Sequence, residues 1–268
     1  MKRVICGIAL GASLLLVIKL LPPFYTFLFA LFWGFLSLTE FYRIAEKNGQ
    51  SPNIWAGYLF TALILFSFYS PIIPKMAIIV SMVVAVPVIY LLSVRDSRQA
   101  LGGISVTIFG VFTIGFLLGY EVAIRLIDGE GARGDNLLIF LLIVVSWGDV
   151  GCYVVGRFMG KHKIFPRISP NKTLEGCVGG IAFNLMAAFG IKGFLFKELS
   201  YMHCLLLIIL LGVFSQIGDL CESVYKRGSG VKDSSRILPG HGGALDRVDS
   251  LLFSGPIFYY FYVLFLNH

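Results

Sequence analysis

The residues able to do chemistry gather between Asp219 and Ser250. Asp219 and Glu222 open the stretch, and Asp246 and Asp249 close it. Between the two acidic pairs stand Lys226, Arg227, Lys232, Arg236 and His241, with Arg247 inside the second pair and glycines at 240, 242 and 243. Members of each pair are three residues apart, so on a helix they share a face. Carboxylates beside lysine and arginine in glycine-rich backbone are the materials of a metal–phosphate site. A Mg²⁺ ion takes one or two carboxylates and fills its remaining positions with phosphate and water. Asp219 and Asp246 are the expected ligands, with Glu222 and Asp249 as further candidates. Lys226, Arg227, Lys232 and Arg247 supply positive charge, and each arginine can grip two phosphate oxygens at once. Gly242 and Gly243 let backbone N–H groups approach a ligand closely. His241 can donate to phosphate or act as an acid or base, or simply hold the loop. The acids can also be read as partners of Arg227 and Arg247, since a carboxylate at a membrane edge needs a cation or a role.

A second polar segment precedes it. Arg157, Lys161, His162, Lys163 and Arg167 lead into Ser169-Pro170-Asn171-Lys172-Thr173, then Glu175 and Gly176. Ser169, Asn171 and Lys172 are candidate substrate contacts, and Arg157 adds charge. The Ser169–Thr173 run reads as a turn into a helix with Glu175 in its first turn. Asp149, inside an apolar segment, is expected to line a polar cavity or to pair with Arg157.

The rest of the chain must position these groups. Of 268 residues, 57% are hydrophobic and 14% charged, with a mean hydropathy of +0.84. Soluble domains are about half apolar and about a quarter charged, which excludes that class. Apolar runs predict nine helices, near 4–21, 24–40, 54–70, 74–93, 104–125, 136–156, 177–195, 202–220 and 250–266. The expected fold is an all-α integral membrane protein of about nine transmembrane helices in a single polytopic domain, 1–268. Spans within 1–125 serve as scaffold, and 136–268 supplies catalytic helices and loops. With that layout sixteen of the 22 Lys and Arg fall on one side, ten of them in the two polar segments. The positive-inside rule places that side, the N-terminus and the polar site in the cytoplasm, at the cell (inner) membrane. The net charge of +7 suits anionic lipid or nucleotide, not nucleic acid. Five cysteines lie in or beside apolar segments without metal-ligand spacing and read as small core residues.

The run Ser223-x-x-Lys226-Arg227-x₄-Lys232-Asp233-x-Ser235-x₂-Leu238-Pro239-x-His241-Gly242-Gly243-x₂-Asp246-Arg247-Val248-Asp249 closely resembles the signature of the phosphatidate cytidylyltransferases, or CDP-diacylglycerol synthases. The Ser169–Gly176 block is similar to that family's second motif. Tyr225 and Ala244 depart from it, both at spacer positions. The resemblance implies transfer of a cytidylyl group from CTP to phosphatidic acid, with release of pyrophosphate. It also implies dependence on Mg²⁺, leaves a second, monovalent cation open, adds Ser223 to the substrate-binding set, and suggests a homodimer among membrane lipids. Two other readings share the same materials: a CTP-dependent lipid-alcohol kinase, and an anion transporter with a basic vestibule.

Overall fold

The computed structural model describes residues 2–93, 97–129, 132–197, 199–235 and 242–266. Ten α-helices account for nearly all of them: α1 (Lys2–Leu20), α2 (Pro23–Lys47), α3 (Ile54–Tyr69), α4 (Lys75–Ser93), α5 (Ser97–Gly110), α6 (Leu117–Arg125), α7 (Gly134–Met159), α8 (Leu174–Leu195), α9 (Tyr201–Gly228) and α10 (Leu245–Phe265). Helices α5 and α6 are joined by a π-helical stretch, Val111–Phe116, so that Arg98–Arg125 forms one long apolar helix. The described strands are a two-residue antiparallel ladder, Asp128–Gly129 with Ala132–Arg133. Among the described residues seven helices are long and apolar enough to cross a membrane, as expected of a multi-pass membrane protein. At 16 residues α3 is shorter, about 24 Å at 1.5 Å per residue.

Helices start where the sequence supplies the chemistry to start them. Pro23 occupies the first turn of α2, where its missing N–H costs nothing. Asn53 caps α3, its Oδ1 accepting from Ala56 N at 2.9 Å. Thr173 caps α8 by accepting from Gly176 N at 3.1 Å.

Four helices run past the apolar segments that predicted them. α2 continues to Lys47, α5 begins at Ser97, α9 continues to Gly228, and α10 begins at Leu245. Hydropathy senses what can lie in hydrocarbon, but Glu, Lys and Arg are good helix formers in water. The polar stretch expected as one surface loop is therefore helical at 219–228 and 245–250.

The chain divides into two compact units. The first comprises Met1–Ala123 and Tyr225–Val248. In it α2 and α3 pack on each other and on α5, and α4 packs on α3 and α5. Leu38, Ile64, Leu65, Met82, Val86, Val111 and Ile114 form its buried centre. Tyr42, also buried, donates from its hydroxyl to the Thr107 carbonyl at 2.8 Å, tying α2 to α5.

The second unit comprises Ile124–Val224 and Asp249–His268. Its spine is the pair α7 and α8, which touch through small residues. Gly151 meets Phe183, Gly179 meets Val155, and Gly180 lies against Cys152 and the Gly148 carbonyl. Apolar helices gain no hydrophobic driving force from meeting within lipid, so close backbone approach has to supply the attraction. Phe140, Phe196 and Phe258 cluster at centroid distances of 5.8–6.3 Å and fill the space between α7 and α10.

A methyl group on Gly179 would collide with the Val155 side chain, whereas one on Gly190 would meet nothing within 4 Å. Overpacking of this kind costs about 1–3 kcal/mol, and an unhindered Gly→Ala change in a helix gains up to about 1 kcal/mol. Gly179→Val is therefore expected to lower the thermal midpoint in detergent by at least a few degrees, while Gly190→Ala leaves it equal or higher.

Candidate functional site

In the second unit the polar segment before α8 is folded back on itself. Ile164 N donates to the Lys172 carbonyl at 3.3 Å and Leu174 N to the His162 carbonyl at 2.9 Å. Glu175, one residue inside α8, accepts from Lys161 N at 3.0 Å, from His162 N at 3.2 Å, and pairs with His162 Nδ1 at 2.6 Å. Its carboxylate thus closes the loop and also sits in a helix's first turn, where negative charge is favoured. Ser169 N donates to the Phe165 carbonyl at 2.9 Å and Lys172 N to the Ser169 carbonyl at 3.2 Å, the turn expected from Ser-Pro-Asn-Lys.

This turn delivers the Lys172 ammonium to Asp219, with Nζ 2.9 Å from Oδ2. Nζ also donates to the Gln216 carbonyl at 3.4 Å. Asp219 belongs to a wider acidic cluster with Glu222 and Asp249, each offering an oxygen within 4.8 Å of the other two. Glu222 is buried, and Asp219 and Asp249 are half-buried. Gly218 brings α9 and α10 together here, its Cα lying against the Asp249 carbonyl and the Phe253 ring. Asp149 approaches on α7, its Oδ1 accepting from Ser250 Oγ at 3.4 Å. Three converging carboxylates are a donor set that a hard cation can bind. The all-oxygen donor set fits a divalent ion such as Mg²⁺ and not a soft metal. Arg157 points back along its own helix to Tyr153, donating to the hydroxyl at 2.7 Å, and not to Asp149. Asn171 is exposed, and Ser223 is buried on α9.

In the first unit α9 ends in Lys226 and Arg227. Lys226 Nζ lies 2.6 Å from Asp246 Oδ1, with both side chains largely buried. Asp246 Oδ2 accepts from Gly243 N at 2.8 Å and lies 3.0 Å from Ser234 Oγ. Arg227 donates to the Val231 carbonyl at 2.9 Å, which curls the chain after the helix. Lys232 and Arg247 are exposed. Gly242 has φ +79°, a left-handed conformation that glycine adopts without strain. A side chain at Gly243 would strike both the Ser234 hydroxyl and the Glu40 carboxylate. Arg236 and His241 lie outside the described residues.

The structure therefore brings Asp219, Glu222 and Asp249 together, and adds Lys172 to them. Asp246 is engaged separately, with Lys226. Sequence reasoning missed Glu40. Its side chain, fully buried on α2, accepts from Ser234 Oγ at 2.8 Å, Ser235 Oγ at 2.5 Å, Ala244 N at 2.9 Å and Leu245 N at 2.8 Å. The signal was present: Glu40 is the only acid in the apolar run 24–40.

Comparison with known proteins agrees with this chemistry. The Cytidylyltransferase family model matches residues 1–265. A phosphatidate cytidylyltransferase of Staphylococcus saprophyticus is 45% identical over 144 residues, covering 54% of this chain and 52% of the relative. The protein of that name from Bacillus subtilis is 46% identical over 153 residues, 57% of this chain and 55% of its own length. That from Staphylococcus haemolyticus is 49% identical over 127 residues, 47% and 49% of the two chains. The matched stretch spans about half the length of these relatives. With the family model running almost from one end to the other, the chain belongs to the cytidylyltransferase family.

Proposed function

We propose that this chain is a phosphatidate cytidylyltransferase that makes CDP-diacylglycerol and pyrophosphate from CTP and phosphatidic acid. The observation that carries this reading is the Asp219–Glu222–Asp249 cluster with Lys172 on Asp219, in a chain of the cytidylyltransferase family. The names of the relatives point to the same substrates.

The reaction asks little covalent chemistry of the protein. A phosphate monoester is already a nucleophile at neutral pH. Its oxygen attacks the α-phosphorus of CTP, the new P–O bond forms, and the bond to the bridging oxygen breaks with its electron pair leaving on pyrophosphate. No protein group has to form a bond or carry a proton. The work is to hold two polyanions together and to meet the charge on the departing group. We assign Lys226, Arg227, Lys232 and Arg247 to phosphate, with His241 and the N–H groups of Gly242 and Gly243. Ser169, Asn171, Lys172, Arg157 and Ser223 complete the substrate contacts. Asp219, Glu222 and Asp249 hold a divalent ion, which we take to be Mg²⁺. Such an ion, when bound, supplies Lewis-acid neutralisation of phosphoryl charge. Asp246 serves by fixing the Lys226 ammonium, its partner at 2.6 Å. We place this apparatus on the cytoplasmic face, where the lysine and arginine excess lies and where CTP is available.

Purified protein given labelled CTP and phosphatidic acid is expected to form CDP-diacylglycerol and release pyrophosphate only with a divalent cation present. Release of CDP with a phosphorylated lipid alcohol would instead establish a kinase. Asp219→Asn and Asp249→Asn are each expected to lower kcat at least 100-fold at standard Mg²⁺. Unchanged rates and unchanged Mg²⁺ dependence would defeat the metal assignment. Lys172→Met is expected to raise KM for phosphatidic acid at least fivefold, because the loss of a charge-assisted contact to phosphate weakens binding.

A further inference from the structure

We propose that Glu40 is a positioning residue for the phosphate-binding segment, a carboxylate on α2 that sets Ser234, Ser235 and the start of α10. The inference rests on the cytidylyltransferase reading for its kinetic consequence, and on geometry alone for its structural one.

Four groups contact Glu40: two serine hydroxyls and two backbone N–H groups. A carboxylate offers two acceptor oxygens, and together they take all four contacts. Its Ala244 and Leu245 partners are the opening N–H groups of α10, which no intrahelical carbonyl can satisfy. A negative charge there is also favoured by the helix dipole. Glu40 therefore caps α10 from a different helix, a task usually done by the residue just before the first turn.

The serines extend the effect. Ser234 and Ser235 lie ten residues before the cap, and both bond to the same carboxylate. Glu40 thus pins the loop at both of its described ends. Ser234 also bonds to Asp246 through its amide at 3.3 Å. Asp246 in turn fixes Lys226. One buried side chain on α2 consequently sets the frame in which Lys232, Gly242, Gly243, Asp246 and Arg247 stand. Glu40 touches none of the reacting atoms in this account and acts through those groups.

Replacing one Glu40 oxygen by an amide would set a donor against donors. Glu40→Gln is expected to raise KM for CTP at least fivefold, with KM for phosphatidic acid changed less than twofold. Glu40→Asp keeps both acceptors at shorter reach and should fall between Glu40→Gln and the parent. Ser235→Ala should weaken CTP binding in the parent, yet add less than twofold in the Glu40→Gln background. Amide exchange at 243–245 should accelerate at least tenfold in Glu40→Gln, while α7 and α8 keep their protection. A role in general stability alone would reduce the active fraction, and hence kcat, without moving KM for CTP. That result overturns the inference, as does unaltered exchange at 243–245 or a Glu40→Asp variant no better than Glu40→Gln. Should the parent protein form no liponucleotide, the functional reading fails, and the exchange experiment decides the role of Glu40 by itself.

Discussion

A carboxylate taken out of water must be met by donors or cations, and this requirement organises the polar half of the molecule. Burying an uncompensated ion costs several kcal/mol even after relaxation, so each acid dictates what surrounds it. Glu40 is met by two hydroxyls and two amides. Asp246 is met by Lys226 and by Gly243 N. Glu175 gathers the amides of Lys161 and His162. In each case the acid stands on a helix and at least one donor comes from the neighbouring loop. The helices are fixed first by their apolar packing, and the acids then impose shape on glycine- and serine-rich backbone that has little preference of its own.

The Asp219 cluster departs from that pattern, as does Glu121 on α6, whose buried oxygens have no hydrogen-bond partner among the described residues. The three carboxylates of the cluster converge, with one lysine at Asp219. Converging carboxylates, in a chain of the cytidylyltransferase family, are the arrangement a cation-assisted reaction uses.

The membrane character and the positions of all nine apolar segments could be read in the sequence, because hydrocarbon imposes a length and a composition that few other contexts demand. The turn at Ser169–Thr173 leading into α8 was legible from its residue types, and the acidic pairs were visible from their spacing. What could not be read was which acids meet. Asp246 and Asp249 stand on the same helix three residues apart, yet one is held by Lys226 and the other joins Asp219 and Glu222. Such a choice depends on tertiary placement, which neither spacing nor residue type encodes. Glu40 was lost for another reason. It lies almost 200 positions before its serine partners, and its segment read simply as a span. The helix ends at 47, 228 and 245 were misjudged because polar residues stop a hydropathy run without stopping a helix.

The length of α9 has a mechanical consequence. Its 28 residues measure about 42 Å, against a hydrocarbon core of roughly 30 Å. The excess carries Asp219, Glu222, Lys226 and Arg227 on stiff backbone. A rod anchored in oil and rising rigidly out of it works as a depth gauge. The height of its charged tip above the acyl chains is set by the thickness of the bilayer and the tilt of the rod, not by the mobility of a tether. A thinner bilayer would leave more of such a helix above the acyl chains, and a thicker one less.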